Sequence, residues 1–254
     1  MLRFSLKILL SLMLLGVITL SVVSYIVIPE LPDIEALRDV KMQIPLRIYS
    51  RDGSLIAEFG EMRRIPVGID QTPQQIINAF IAAEDDRFYQ HPGVDWQGIL
   101  RAAINLVLTG KKAQGGSTIT MQVARNFFLS NEKTYLRKVN EIFLALKIEQ
   151  QLSKAEILEL YLNKIYLGQR AYGIGAASQV YYGSTIQDLT LPQIATIAGL
   201  PKAPSTTNPV TSREKAGERR AYVLRRMLDL DFISHQEYEQ AKNSPVTGSL
   251  HRPA

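Results

Sequence analysis

The apolar positions along this chain follow three successive spacings. Residues 8–28, "ILLSLMLLGVITLSVVSYIVI", carry no charge. As a helix such a run spans roughly 31 Å, about the thickness of a hydrocarbon core. Residues 46–60, "LRIYSRDGSLIAEFG", hold two strand-like runs around Asp52-Gly53, a pair that favours a hairpin turn. From residue 73 onward the spacing is helical almost throughout. Thr72-Pro73-Gln74-Gln75 predicts an N-cap, a proline at the first helical position and a closing Gln. Ser153-Lys154-Ala155-Glu156 predicts a second capping box, with Leu152 and Ile157 placed as a hydrophobic staple. Thr190 with Gln193, and Ser234 with Glu237, mark two further helix starts. "LPKAPSTTNP" reads as a Pro-rich loop, followed by a long helix through "REKAGERRAYVLRRMLDL". The expectation is a mainly α domain with a small β-hairpin, tethered by one N-terminal transmembrane helix.

The first of these helices, "PQQIINAFIAAE", ends on three acids, Glu84, Asp85 and Asp86. At about 100° per residue, Ile76, Ile77, Phe80 and Ile81 centre the apolar stripe. Glu84 falls near that centre, Asp85 at its edge and Asp86 roughly opposite. Glu84 is therefore the carboxyl aimed inward, and partial desolvation would raise its pKa toward the range of a general base or acid. Taken alone, a helix-end Glu is more often structural. Asp85 and Asp86 read as turn or solvent-facing acids, and His91 as a structural histidine in a turn with Pro92 and Gly93.

Two further stretches carry chemistry. "GGSTITMQVARNFF" opens on Gly115-Gly116, suited to close backbone approach. It then supplies donors at Ser117, Thr118, Thr120, Gln122, Arg125 and Asn126. In "YLRKVNEIFLALKIEQQL", Val139, Ile142, Phe143 and Leu146 share a face. Glu141 lies nearly opposite, beside Arg137 and Lys138 but also near Leu144 and Ile148. That helix is apolar on two sides and expected to be buried. An exposed Glu–Lys pair of this spacing would contribute only ~0.3–0.5 kcal/mol.

Composition narrows the classes. The 254 residues contain no cysteine and three histidines, which excludes disulfides and thiolate metal sites and disfavours a multi-histidine site. The net charge of +5 suits anionic partners, but there is no zinc module or glycine-aromatic RNA signature, so nucleic acid is not expected. Arg3 and Lys7 precede the apolar run, and Glu30, Asp33 and Glu35 follow it, which sets the N-terminus in the cytoplasm. The segments expected are 1–28 as cytoplasmic tip and anchor, 29–45 as a juxtamembrane connector, 46–243 as the folded domain and 244–254 as a linker.

Together these stretches resemble the glycosyltransferase domain of class A penicillin-binding proteins, family 51, in its 1A-type form. The motifs occur in the family's order: "EDDRFYQHPG", "GGSTITMQVARNFF", "RKVNE", "KAEILELYLNKIYLG" and "RAYGIGAASQVYYG". The resemblance implies a lysozyme-like helical lobe and a smaller membrane-contacting lobe, on the periplasmic side of a bacterial inner membrane. It implies polymerisation of lipid II into β-1,4 glycan with inversion and release of undecaprenyl diphosphate. By motif position Glu84 is the general base and Glu141 the second essential acid. Glu141 would either hold a divalent cation, Mg²⁺ or Mn²⁺, or order a cationic cluster. Arg87, Ser117, Gln122, Arg125 and Lys133 would line the diphosphate and substrate groove, with Lys138, Lys164 and Arg170 as further contacts. The implied partners are lipid II, the growing lipid-linked strand and the membrane. Cell-wall elongation proteins, lipoprotein activators and a second copy of the chain are further candidates. Moenomycin-type phosphoglycolipids are the implied inhibitors.

Met121, Asn140 and Ala171 depart from frequent family residues, none at a proposed catalytic group. "WQGILRAAINLVL", 96–108, is either a core helix or a membrane contact. Ser130-x-x-Lys133 and Ser212-x-x-Lys215 match a bare acyl-enzyme motif but lack its Lys-Thr-Gly and Ser-x-Asn partners, so no transpeptidase activity is expected and 244–254 would lead toward such a domain. The rival readings are a glycan-cleaving lysozyme-like enzyme (a lytic transglycosylase) and a non-catalytic cell-wall scaffold.

Overall fold

The computed structural model describes residues 2–37, 45–53, 55–60, 62–110, 116–129 and 134–251. Gly115, Ser130 and Lys133, and residues 38–44 of the expected connector, lie outside them. The described chain is mainly helical. Helix α1 is Leu2–Val27, β1 (Leu46–Tyr49) and β2 (Leu55–Phe59) form the hairpin, and β3 is Arg63–Arg64. Then come α2 (Gln74–Glu84), α3 (Trp96–Thr109), α4 (Ile119–Phe128), α5 (Tyr135–Gln151) and α6 (Lys154–Lys164). After β4 (Ala171–Tyr172) the chain closes with α7 (Ile174–Tyr182), α8 (Leu191–Gly199), α9 (Arg213–Asp229) and α10 (His235–Asn243). The hairpin turns at Asp52-Gly53 as expected, with Gly53 at φ 85°. The parallel β3–β4 pair, two residues long, carries no periodic signal in the sequence.

Local rules explain most helix starts. The capping boxes at Ser153–Glu156, Thr190–Gln193 and Ser234–Glu237 all form. Leu152 and Ile157 are both buried, as a staple requires. The box expected at Thr72 does not form. Thr72 Oγ1 donates backward to Gly68 O at 2.8 Å, so Pro73 becomes the cap and α2 begins at Gln74. A hydroxyl that finds a nearby carbonyl is lost to the helix N-terminus. The side chains described on α1 begin at Ser11. Among the described residues no helix is long and apolar enough to cross a membrane.

The main core joins α2, α4, α6, α7, α8 and α9 around Phe80, Tyr161, Tyr181 and Leu224. A smaller cluster, Val94, Met121 and Ala145, lies between α4 and α5, with Ile99 of α3 packed against it. Met121 is fully buried there, so its departure from the family pattern is a change of core packing. Gly93 makes that packing tight. Its φ is +90°, and a Cβ on it would stand 2.7 Å from Ala145 O. Gly93→Ala is expected to cost about 2 kcal/mol or more in a urea titration. Gly53→Ala, also at positive φ but with open space around it, should cost only about 1 kcal/mol.

Candidate active site

Helix α2 delivers Glu84 as its last residue. Asp85 then leaves helical geometry, its N–H still donating to Ile81 O at 2.9 Å. Asp85 is buried, contrary to the edge or turn role its position on the helical wheel suggests. Its Oδ2 accepts the Ile119 N–H at 2.9 Å, and its Oδ1 meets His91 Nε2 at 2.9 Å. It therefore anchors the N-terminus of α4, where Thr118 is the N-cap. Asp86, expected to point away, pairs with Arg226 of α9 at 2.6 Å. One acidic triplet thus points in three directions: into a cavity, to α4 and to α9.

Glu84 keeps 15% of its side chain exposed. Gln122 Nε2 donates to its Oε2 at 2.9 Å, while Arg219 Nη2 stands 4.0 Å from Oε1. Burial raises the Glu84 pKa above the ordinary carboxylate value, and Gln122, Arg219, Lys202 and Arg125 partly oppose that rise. Behind it, Tyr161 is fully buried, its hydroxyl without a partner among the described residues. Burial, reinforced by the Glu84 and Asp85 carboxylates, pushes that phenol well above its usual value.

Two cavities meet at Glu84 and Ser117. The larger, about 450 Å³, is also lined by Gln122, Arg125, Lys202, Arg219 and Tyr222. The smaller, about 210 Å³, lies beside α3 and is also lined by Asp86, Asp95, Arg101 and Asn105. Lys202 and Arg219 were not singled out in the sequence. Lys202 sits in the Pro-rich loop and Arg219 on the long helix α9, and only a lone cation in that loop hinted at the first.

Glu141 is more buried than Glu84, at 1% exposed. Its Oε2 accepts from Arg137 Nη1 and its Oε1 from Lys138 Nζ, both at 2.9 Å. Lys138 Nζ also donates to Ser117 Oγ at 2.8 Å. The chain Glu141–Lys138–Ser117 thus runs from a fully paired acid to the mouth shared by both cavities. Both Glu141 oxygens are committed to cations, and no group of three potential acidic, His or Cys ligands occurs among the described residues. Glu141 therefore suits the ordering of a cationic cluster, and its donor set does not fit a divalent metal.

Other expected contacts stand elsewhere. Arg87 is bonded to Asp95 and Gln97, and so steadies the N-terminus of α3, where Asp95 Oδ1 accepts the Gly98 N–H at 2.8 Å. It is not among the residues lining either cavity. Lys164 lies over the Phe127 ring at 4.6 Å, and burial, with help from Arg64, lowers its pKa. Arg170 donates to Gly60 O at 2.7 Å, at the hairpin. Ser117, Gln122 and Arg125 are brought together with Glu84; Arg87, Lys164 and Arg170 are not.

Comparison with known proteins agrees with this arrangement. The chain is 58% identical to penicillin-binding protein 1A of Escherichia coli K12 over 225 residues, covering 89% of this chain and 26% of that protein. It is 57% identical to penicillin-binding protein 1A of Pseudomonas aeruginosa over 223 residues, covering 88% and 27%. The crystal structure of penicillin-binding protein 1A from Haemophilus influenzae superposes with a TM-score of 0.50 at 36% identity, covering 84% of this chain and 22% of that one. The chain spans about a quarter of the length of these relatives. A family model described as transglycosylase matches residues 52–228, the span that holds Glu84, Glu141 and both cavities, and the chain belongs to that family in the form carried by the class A penicillin-binding proteins.

Proposed function

We propose that this chain is a peptidoglycan glycosyltransferase that extends a lipid-linked glycan strand by one lipid II at a time. The observation that carries the reading is Glu84 between two cavities, one of them rich in cations. The 4-hydroxyl of the incoming sugar attacks the anomeric carbon of the strand. The C–O bond to the diphosphate breaks, and the hydroxyl proton passes to Glu84. Oε2 is occupied by Gln122, so Oε1 is the acceptor oxygen. A sugar hydroxyl is a weak nucleophile until its proton has somewhere to go. The departing diphosphate carries its own charge and needs cations in place beforehand. Arg125, Lys202 and Arg219 supply them in the larger cavity. Glu141 holds Lys138 at the junction through Ser117.

The same reading assigns α1 as a membrane anchor with the catalytic domain in the periplasm, and α3 as part of a smaller lobe facing the bilayer. The apolar run 8–28 supports the first. Exposed Trp96, Leu100, Ile104, Val107 and Leu108 support the second. Elongation proteins, lipoprotein activators and a second copy of the chain are the further partners this reading implies. Glycan cleavage is disfavoured because its leaving group is a neutral sugar hydroxyl, which gives Arg125, Lys202 and Arg219 no departing anion to bind.

Glu84→Gln is expected to lower lipid II polymerisation by roughly 10²-fold or more, the usual weight of a general base. Unchanged polymer in a gel assay would return the chain to a scaffold role. Because Glu84 must be ionised to act, turnover should fall on the acid side with a midpoint above the ordinary carboxylate range. Stability should respond in the opposite sense. A raised acid pKa costs nothing below the unfolded value, where both states are protonated, and penalises the fold increasingly as pH rises from the unfolded value to the folded one, and in full above it. Thermal unfolding should therefore show Glu84→Gln stabilised at pH 7–8 relative to the native chain, with the gap closing near pH 4. Glu141→Gln should also impair turnover while leaving any dependence on Mg²⁺ or Mn²⁺ as it is in the native protein. Loss of that dependence in the variant would make Glu141 the ligand.

A further inference from the structure

One polar group next to Glu84 takes no part in the reaction above. The hydroxyl of Tyr161, on α6, is fully buried and bonds to nothing among the described residues. A buried hydroxyl without a partner loses its hydration and gains nothing in exchange, so it is rare in a folded protein and calls for a reason. The Tyr161 ring is held by packing, edge-on to Phe80 with centroids 6.0 Å apart. Phe80 stands one helical turn before Glu84 on the same face of α2. Helix α6 also packs on α4, which carries Gln122 and Arg125. The phenol therefore lies on the core side of the carboxylate.

The charges that reach it are those of Glu84 first, then Arg125 and Asp85. Of these three, only Glu84 has an oxygen without a hydrogen-bond partner among the described residues. Arg125 is a donor only. Asp85 gives one oxygen to the Ile119 N–H and the other to His91. Glu84 has Gln122 on Oε2, while Arg219, at 4.0 Å from Oε1, is beyond hydrogen-bond reach. Burial holds the Tyr161 proton far more tightly than an ordinary phenol does, so this hydroxyl can donate a hydrogen bond and does not act as an acid.

We propose that Tyr161 is a positioning residue for the base: once a bound saccharide displaces water from Glu84, the Tyr161 hydroxyl donates to the carboxylate from the core side and leaves the cavity side open for the sugar proton. The bond is not made in this structure and forms by side-chain rotation. This rests on the glycosyltransferase reading and adds to it how the base stays ionised in a dry site. Glu84 is still 15% exposed, and losing that remaining water raises its proton affinity further. A neutral donor to the charged form opposes the further rise. The other charged groups facing Glu84 are Arg125 of α4, Lys202 of the Pro-rich loop and Arg219 of α9, whereas α8 carries none. In the smaller cavity Asp86 and Asp95 are paired with Arg226 and Arg87, Arg101 lines the wall, and Lys138 of α5 reaches the junction through Ser117. All of these act with or without Tyr161.

The test is Tyr161→Phe, which keeps the ring and removes the hydroxyl. The pH profile of kcat reports the substrate-bound enzyme and that of kcat/KM the free one. The acid limb of kcat should move up by about one pH unit, while that of kcat/KM moves by less than about 0.3 unit. At its optimum kcat should fall about three- to tenfold through lost orientation. A direct readout is the Glu84 carboxyl carbon in protein labelled with carbon-13 at glutamate Cδ and bound to a moenomycin-type phosphoglycolipid. It should titrate about one unit higher in the variant. Thermal unfolding should match or exceed that of the native protein, because the variant loses an unsatisfied donor. An unmoved kcat limb with an unmoved carboxyl titration would overturn the proposal and leave Tyr161 a packing residue, whatever happens to the rate. So would an equal shift of kcat and kcat/KM, which would mean that the donor acts without substrate. If the native chain forms no polymer yet the bound carboxyl titrates higher in the variant, the positioning role stands and the glycosyltransferase reading fails.

Discussion

The candidate site depends on a buried carboxylate next to the proposed base. Asp85 joins the C-terminal end of α2 to the N-terminal end of α4 by accepting the Ile119 N–H, and it is steadied from behind by His91. A helix N-terminus is a site of partial positive charge with unsatisfied donors, so a carboxylate there is favourable twice over. Because Glu84 and Asp85 are joined by one peptide bond, this contact sets where Glu84 stands relative to Ser117, Gln122 and Arg125. Thr118 tightens the same joint by donating to Gly93 O at 2.5 Å while capping α4. Glu84 can remain without a close ion pair because its neighbour carries the structural load.

Glu84 and Glu141 illustrate opposite uses of burial. Glu141 is withdrawn almost completely from water and compensated by two cations at 2.9 Å. A buried charge that is fully paired resists change, which suits a residue that orders others. Glu84 has one amide donor and its nearest cation at 4.0 Å. Its charged form is disfavoured by desolvation and only partly restored by cations that line the cavity and do not touch it. That imbalance is what a base needs, since a carboxylate already satisfied by close partners has little affinity for another proton.

How much of this could be read from the sequence follows from the range of each interaction. The inward aim of Glu84 is a property of one helix and its apolar stripe, and the helical wheel is sufficient for it. Three of the four expected capping boxes form for the same reason, since each involves residues three apart. The fourth fails because Thr72 has a competing acceptor at Gly68. Asp85 and Asp86 were misplaced because their partners are distant: Asp86 meets Arg226 from 140 positions away. Lys202 and Arg219 are invisible to periodicity for that reason too. Their positions on a loop and a long polar-faced helix acquire meaning only when α8 and α9 close over α2. The family resemblance placed Arg87 in the groove by motif position, yet its guanidinium is committed to Asp95, a pairing that motif order does not encode.

The charges around Glu84 bear on which reaction the fold serves. An enzyme that cleaves finished glycan must keep an acid protonated near neutrality to donate to a leaving sugar oxygen, and cations nearby work against that by lowering its pKa. Here Arg125, Lys202 and Arg219 do lower the value that burial raises. The cations give up part of the proton-holding tendency that burial creates in return for affinity toward an anion, and a diphosphate leaving group needs no proton. The exposed apolar stripe of α3, on the helix whose other face lines the second cavity, is likewise without use for a polymer that carries no lipid tail and suited to a substrate whose tail stays in a bilayer. In the proposed reaction both features place the demand on the substrate's lipid-linked end, and the sugar chemistry is then left to Glu84.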